Sequence, residues 1–214
     1  ERIRTGREER IRRRRGRLGR RRMMAHDWEE PRLSTEGFVT DYIQWRMNKE
    51  GLEWFDGPDV PEGAEEEHEA MRKMCWIFEE RNRSDMESLI DELREVDQMT
   101  YQHFCEIVDQ FFYREDQTLQ VANELTFGKL IGLITFTGLF ALEKERKRER
   151  RDIQLIALYA AKYIDRSIRD TWVIAERNWK AFMALSHQVE SRHAQSRPST
   201  LHPSSPSSSS LPPS

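Results

Sequence analysis

The side chains that could do covalent or metal chemistry are few and badly spaced in this chain. Six histidines are present, and the nearest pair, His187 and His193, does not make the i, i+4 spacing of two ligands on one helix face. Cys75 and Cys105 fit no metal or redox spacing and suit a reduced, cytosolic setting. No Ser-His-Asp order, phosphate-cradling glycine loop or carboxylate pair stands out, so the sequence points to a protein that is not an enzyme and holds no metal or cofactor. What remains is binding chemistry. Six Trp, ten Phe and five Tyr supply bulky apolar surface. Lys129 stands at the head of "GKLIGLITFTGLF", with no other charge before Glu143.

Helix signals dominate the elements that must position these residues. A first helix is expected from Thr35 to Glu50, with Phe38, Tyr42 and Trp45 at i, i+4, i+7 and Gly51 as its C′ residue. A second opens on Glu65, Glu66, Glu67 and Glu69, which suit a helix N-terminus, and turns Met71, Met74, Cys75 and Phe78 inward. Ser84 and Glu87 read as a capping box for a third, carrying Met86, Leu89, Ile90 and Leu93. A fourth covers Thr100 to Arg114, with Phe104, Ile107, Val108, Phe111 and Phe112. The fifth, Phe127 to Lys147, is apolar on all sides over Leu130–Leu142 and must be surrounded by other helices. That uncharged stretch spans about 20 Å, against roughly 30 Å of bilayer hydrocarbon, so it suits the middle of a bundle better than a membrane. Gly128, Gly132 and Thr135 share one face, where a neighbouring backbone can approach. "EKERKRERR" (143–151) reads as a solvated helix end. A sixth helix, Asp152 to Arg169, turns Ile153, Ile156, Tyr159, Ala160, Tyr163 and Ile164 inward, and one or two short helices carry Trp172, Trp179 and Phe182. The expected fold is all-α: about eight helices around a central apolar hairpin, with disordered tails.

Charge divides the chain. Residues 1–22 hold twelve Arg and three Glu, a net of +9, whereas the rest carries a net of −12. The expected organisation is an Arg-rich arm over 1–32, which could lie upstream of a true start at Met23 or Met24, a helical domain over 33–193 and a Ser/Pro tail over 194–214. An arm of this kind could bind nucleic acid, but the strongly acidic body argues against that partner.

"LTFGKLIGLITFTGLF" resembles the first homology motif of the Bcl-2 apoptosis regulators, in which Asn-Trp-Gly-Arg precedes an apolar stretch and Phe-Gly-Gly. "TWVIAERNWKAFMAL" resembles the second motif and "EGFVTDYIQWRMNKEGLEW" the N-terminal fourth, in the family's order. The resemblance covers about residues 33–193, and within the family it is to the nematode pro-survival branch.

The resemblance implies a surface groove that binds the amphipathic death-motif helix of other members. It assigns to that groove Phe127, Gly128, Lys129, Gly138, Trp172, Trp179 and Phe182 from the two motifs, with Met71, Phe78, Phe104 and Val108 from the helices before them. The chain departs from the family at four places. Lys129 replaces the motif arginine and lacks its bidentate fork, so a weaker pairing with the partner's aspartate is expected. Thr126 replaces the asparagine, Thr137 the first glycine of the pair, and Arg177-Asn178 the Gly-Gly of the second motif. In the second helix, Cys75-Trp76 stand where a functioning death motif has Gly-Asp, which makes this helix a groove wall and not a ligand for another groove. The implied function is anti-apoptotic: the chain sequesters a caspase-activating adaptor and releases it when a death-motif protein docks. A membrane-permeabilising, pro-apoptotic member is the alternative within the family, and a nucleic-acid binder using the arm the alternative outside it. With no transmembrane anchor read in the chain, a cytoplasmic setting is expected, with contact at the mitochondrial outer membrane through partners.

Overall fold

The computed structural model describes residues 26–95, 100–112 and 124–196. Among the described residues there are seven α-helices and no strands: α1 (Thr35–Lys49), α2 (Glu65–Arg81), α3 (Arg83–Glu95), α4 (Tyr101–Phe112), α5 (Phe127–Arg146), α6 (Ile153–Thr171) and α7 (Trp179–Ser196). Short 3-10 turns lie at Asp27–Glu29, Pro31–Leu33 and Arg150–Asp152.

α5 is the axis. Every residue from Leu130 to Glu145 is buried, because α1, α2, α3 and α6 pack around it. Its start is fixed by Thr126, whose hydroxyl accepts from Lys129 N at 3.2 Å. α1 lies along α5 and α6 and buries Phe38, Val39, Tyr42, Ile43 and Met47, with the Phe38 ring turned to His68 and Trp179. It is capped by Ser34, whose Oγ accepts from Gly37 N, and it ends at Gly51 in the left-handed region (φ 69°), with Leu52 N donating back to Met47 O. α6 turns Ile153, Ile156, Ala157, Ala160, Ala161, Ile164 and Ile168 into the core. Tyr159 and Tyr163 are only half-buried, and Tyr159 donates to Asp109 of α4 at 2.9 Å. Among the described residues no helix is long and apolar enough to cross a membrane, and no cluster of His, Cys, Asp or Glu could hold a metal ion.

Four expectations change. The final segment is one eighteen-residue helix, because Asn178 caps it and Asp27 Oδ2 accepts from Lys180 N. That contact also places residues 26–32 on the bundle and not in the arm, since Trp28 meets Trp172 edge-on at 6.1 Å. Residues 1–25 and 197–214, and the side chains of Leu93, Phe111 and Phe112, lie outside the described residues. Ser84 does not cap α3. α3 begins at Arg83, directly after Asn82, whose side chain donates to Phe78 O and ends α2.

The fourth change is at "EKERKRERR". Glu143, Lys144 and Glu145 are buried, not solvated. The run alternates in sign, so it pairs with itself across the α5–α6 turn. Lys144 Nζ reaches Glu149 at 2.7 Å and Asp152 at 3.1 Å, and Arg150 reaches Glu145 at 2.8 Å. Glu143 takes a two-pronged contact from Arg94 of α3. Pairing of this kind is what lets charges enter an interior.

Candidate functional site

The residues of the first and second motifs come together at the head of α5. Phe127 meets the rings of Trp172 and Phe182 edge-on at 5.5 and 5.7 Å, and Trp179 meets Trp172 and Phe182 at 5.2 and 5.6 Å. Trp172 Nε1 donates to Leu125 O at 2.9 Å, which satisfies the indole in a fully buried position. This cluster clamps α7 to the start of α5 and, through Phe38 on Trp179, to α1. Arg177 pairs with Glu124 and lies over the Phe127 ring, while Asn178 Oδ1 accepts from Ala181 N at 2.7 Å. Two side chains that replace glycines are thus a tie to α5 and a helix cap.

The remaining candidates lie elsewhere. Phe104 of α4 packs among Phe136, Phe140 and Tyr159, and Val108 is buried one turn later. Met71 of α2 is buried, and Phe78 is half-buried against Gly132. Gly138 faces Tyr42 of α1: a Cβ there would lie 2.5 Å from the ring, so this glycine serves the α1–α5 crossing. Thr137 is fully buried and donates to Leu133 O at 2.7 Å, one turn back in its own helix, so its hydroxyl is satisfied within α5. On the small face of α5, Gly132 admits the Phe78 ring and Thr135 approaches Cys75 O at 3.5 Å, so α2 side chains fill it as much as backbone does.

Of the eleven candidates, Gly128 is exposed and Phe78, Phe127 and Lys129 are half-buried; the other seven are buried. Met86, Leu89 and Ile107 join the partly buried apolar set from α3 and α4. α3 packs on α5, and α4 packs on α6 and, through Phe104, on Phe136 and Phe140 of α5. A ligand helix that reaches Phe104 and Val108 must move a wall. Lys129 lies in the first turn of α5, where a helix dipole disfavours a cation by a few tenths of a kcal/mol, roughly. Burial pushes the Cys75 thiol up to about 12, which leaves it protonated and unreactive at neutral pH.

The family profile described as "Apoptosis regulator proteins, Bcl-2 family" matches residues 71–179. The apoptosis regulator ced-9 of Caenorhabditis elegans is 35% identical over 166 residues, and that of Caenorhabditis briggsae is 32% identical over the same length. Among solved structures, a chain of a CED-9/EGL-1 complex superimposes with a TM-score of 0.70 at 34% identity, covering 78% of this chain and 99% of that one. This chain belongs to the Bcl-2 family. The structure of Caenorhabditis elegans CED-9 alone gives a TM-score of 0.67 at 33% identity, covering 79% of this chain and 97% of that one. Each match covers 77% of this chain but only 58% and 61% of the full-length C. elegans and C. briggsae regulators. Within the family frame, the profile begins at Met71 on α2 and ends at Trp179 at the head of α7, so it brackets the walls and the aromatic clamp together.

Proposed function

We propose that this Bcl-2 family chain is a non-enzymatic, anti-apoptotic regulator. It binds death-motif helices in the groove walled by α2, α3 and α4 over α5. It sequesters a caspase-activating adaptor on its outer face and lets it go when the groove helices shift. The observation that carries this reading is the pair Cys75-Trp76. Cys75 is buried with Sγ 3.8 Å from Ile131 O, and Trp76 stacks with Lys49 and Arg46 at 4.5 and 5.7 Å. A helix whose centre is built into the bundle, with an indole in place of the acid, is a wall and offers no carboxylate to another groove. The solved CED-9/EGL-1 complex supports a groove ligand for a chain so similar. On the outer face, α1 and α6 leave a recess of about 500 Å³ that includes Thr35, Glu36, Leu158 and Lys162, a seat for the adaptor. The same reading places the protein in the cytoplasm, reaching mitochondria through partners, with no nucleic-acid role.

Binding of fluorescently labelled EGL-1 tests this. Saturable binding at micromolar protein or below, weakened at least tenfold by Lys129→Glu, is expected. Absence of saturable binding, with Lys129→Glu changing nothing, overturns the groove reading.

A further inference from the structure

Beside α3, an unbroken series of ion pairs runs through four helices. Asp91 and Arg94 of α3 begin it, the guanidinium reaching Asp91 at 3.0 Å. Arg94 then grips Glu143 of α5 with two parallel bonds of 3.0 and 2.8 Å. Glu143 also accepts from Arg146, and Arg146 reaches Glu50, just past α1, at 3.0 Å. Glu50 takes Arg46 at 2.7 Å, and Arg46 forks onto Glu79 of α2 at 2.9 and 3.1 Å. Lys147 adds a bond to the Arg94 carbonyl at the end of α3.

α3 buries little among its described side chains. Ile90 is its one buried residue among those whose side chains are described, with Met86 and Leu89 only partly covered. A recess of about 510 Å³, floored by Trp76, Met86, Ile90, Leu139 and Leu142, brings solvent to the whole series.

We propose that the Arg94–Glu143 pair is a latch that positions α3 as the closed wall of the groove and links that wall to α1 through Arg146 and Glu50. The proposal rests on the groove reading above. A ligand helix that reaches Phe104 and Val108 needs a wall to move, and α3 is a wall tied to α5 by an ion pair, with Ile90 as the one buried residue among its described side chains. Moving α3 outward strips Arg94 from Glu143. Glu143 then keeps Arg146 alone, and the arginine that was shared with Glu50 has a buried carboxylate to itself. The displacement of a wall is thereby felt at the last turn of α1, one helix length from the recess on the outer face. Arg94 is a positioning residue here: it touches no ligand.

The test uses the whole chain and Arg94→Met, which keeps the apolar stem and removes the fork. Two readouts are followed: backbone hydrogen exchange across α3 and the last turn of α1, and EGL-1 affinity at low and at 1 M salt. Faster exchange in both segments is expected, with EGL-1 bound about fivefold more tightly at low salt, roughly 1 kcal/mol. The gain should shrink severalfold at 1 M salt, where the native pair is screened too. Arg94→Lys should recover less than half of the effect, having no fork. A merely structural Arg94 would lower stability and leave affinity unchanged or weaker, which overturns the latch, as does unchanged exchange in α3. Should the unaltered chain fail to bind EGL-1 at all, the groove reading falls, and the exchange readout alone decides whether Arg94 holds α3 and α1 together.

Discussion

Gly138→Ala isolates the contact on which the α1–α5 crossing depends. Two effects oppose each other. Alanine is the better helix residue by about 1 kcal/mol, so propensity alone predicts a stabilised protein. Against it, the new methyl would stand 2.5 Å from Tyr42 Cε1 and 2.8 Å from Cδ1. Carbon atoms rest at about 3.5–4.0 Å, so the overlap is about 1 Å. The ring that would have to give way is fully buried and lies beside Trp45 at 5.7 Å. Overpacking a closed core costs about 1–3 kcal/mol, and an overlap of this size belongs at the upper end. The net expectation is a loss of about 2 kcal/mol, or a Tm lower by roughly 4–8 °C. Urea and thermal unfolding measure it. Tyr42→Leu in the same chain should convert Gly138→Ala into a neutral or stabilising change, because the clash is gone while the propensity remains. If Gly138→Ala alone stabilises by about 1 kcal/mol, or if the two changes simply add, the crossing is not sterically set. Gly132→Ala is the control, since its Cβ would sit at 3.4 Å from the half-buried Phe78, which has room to yield.

The other expectations concern Thr137 and the buried charges. Thr137→Gly, which restores the family residue, should cost about 1–2 kcal/mol of stability and leave EGL-1 affinity unchanged; a rise in affinity would show that the ligand reaches this position after all. For Glu143, burial raises the carboxyl, but hydrogen bonds from Arg94 and Arg146 outweigh it and hold it below its ordinary value of 4.5. Glu50 is likewise lowered, by Arg46 first. Depressed carboxylates stabilise above their unfolded value, so the contribution is intact above about pH 4.5 and is lost as pH falls through the folded values. Chemical denaturation from pH 6 to 3 should therefore show falling stability below 4.5, with a shallower slope in Glu50→Gln; an unchanged slope would refute the assignment. Lys144→Met should change stability by less than about 1 kcal/mol, because Glu149 and Asp152 remain partly solvated and the apolar stem is kept. A loss well beyond that, in urea unfolding, would mean the lysine secures the turn.

Much of the fold was legible because burial leaves a period in the sequence. Phe38 and Tyr42, one turn apart, announced α1, and the absence of any charge from Leu130 to Leu142 announced a helix with neighbours on every side. Motif order brought Phe127, Trp172, Trp179 and Phe182 to one place, and the structure packs their rings together. Partners distant in sequence were not legible. Nothing local to Glu143 says that Arg94, forty-nine residues earlier, forks onto it, so three buried charges read as a solvated run. Gly138 matched the family pattern and Thr137 departed from it, but neither fact gave a place: one faces Tyr42 and the other its own helix. Which side of α5 they occupy depends on where α1 crosses it. The Asn178 and Thr126 caps had a readable signal, a polar residue just before a helix start.

The central position of α5 also sets when this chain can fold. α1 buries its apolar face on α5 and α6, which are made roughly a hundred residues later. At about 5–20 residues per second on the ribosome, Phe38, Tyr42, Ile43 and Met47 wait roughly 5–20 s for the surface they pack on. During that interval the nascent chain presents these apolar side chains with no core to join, which makes it a natural client for whatever shields emerging polypeptides.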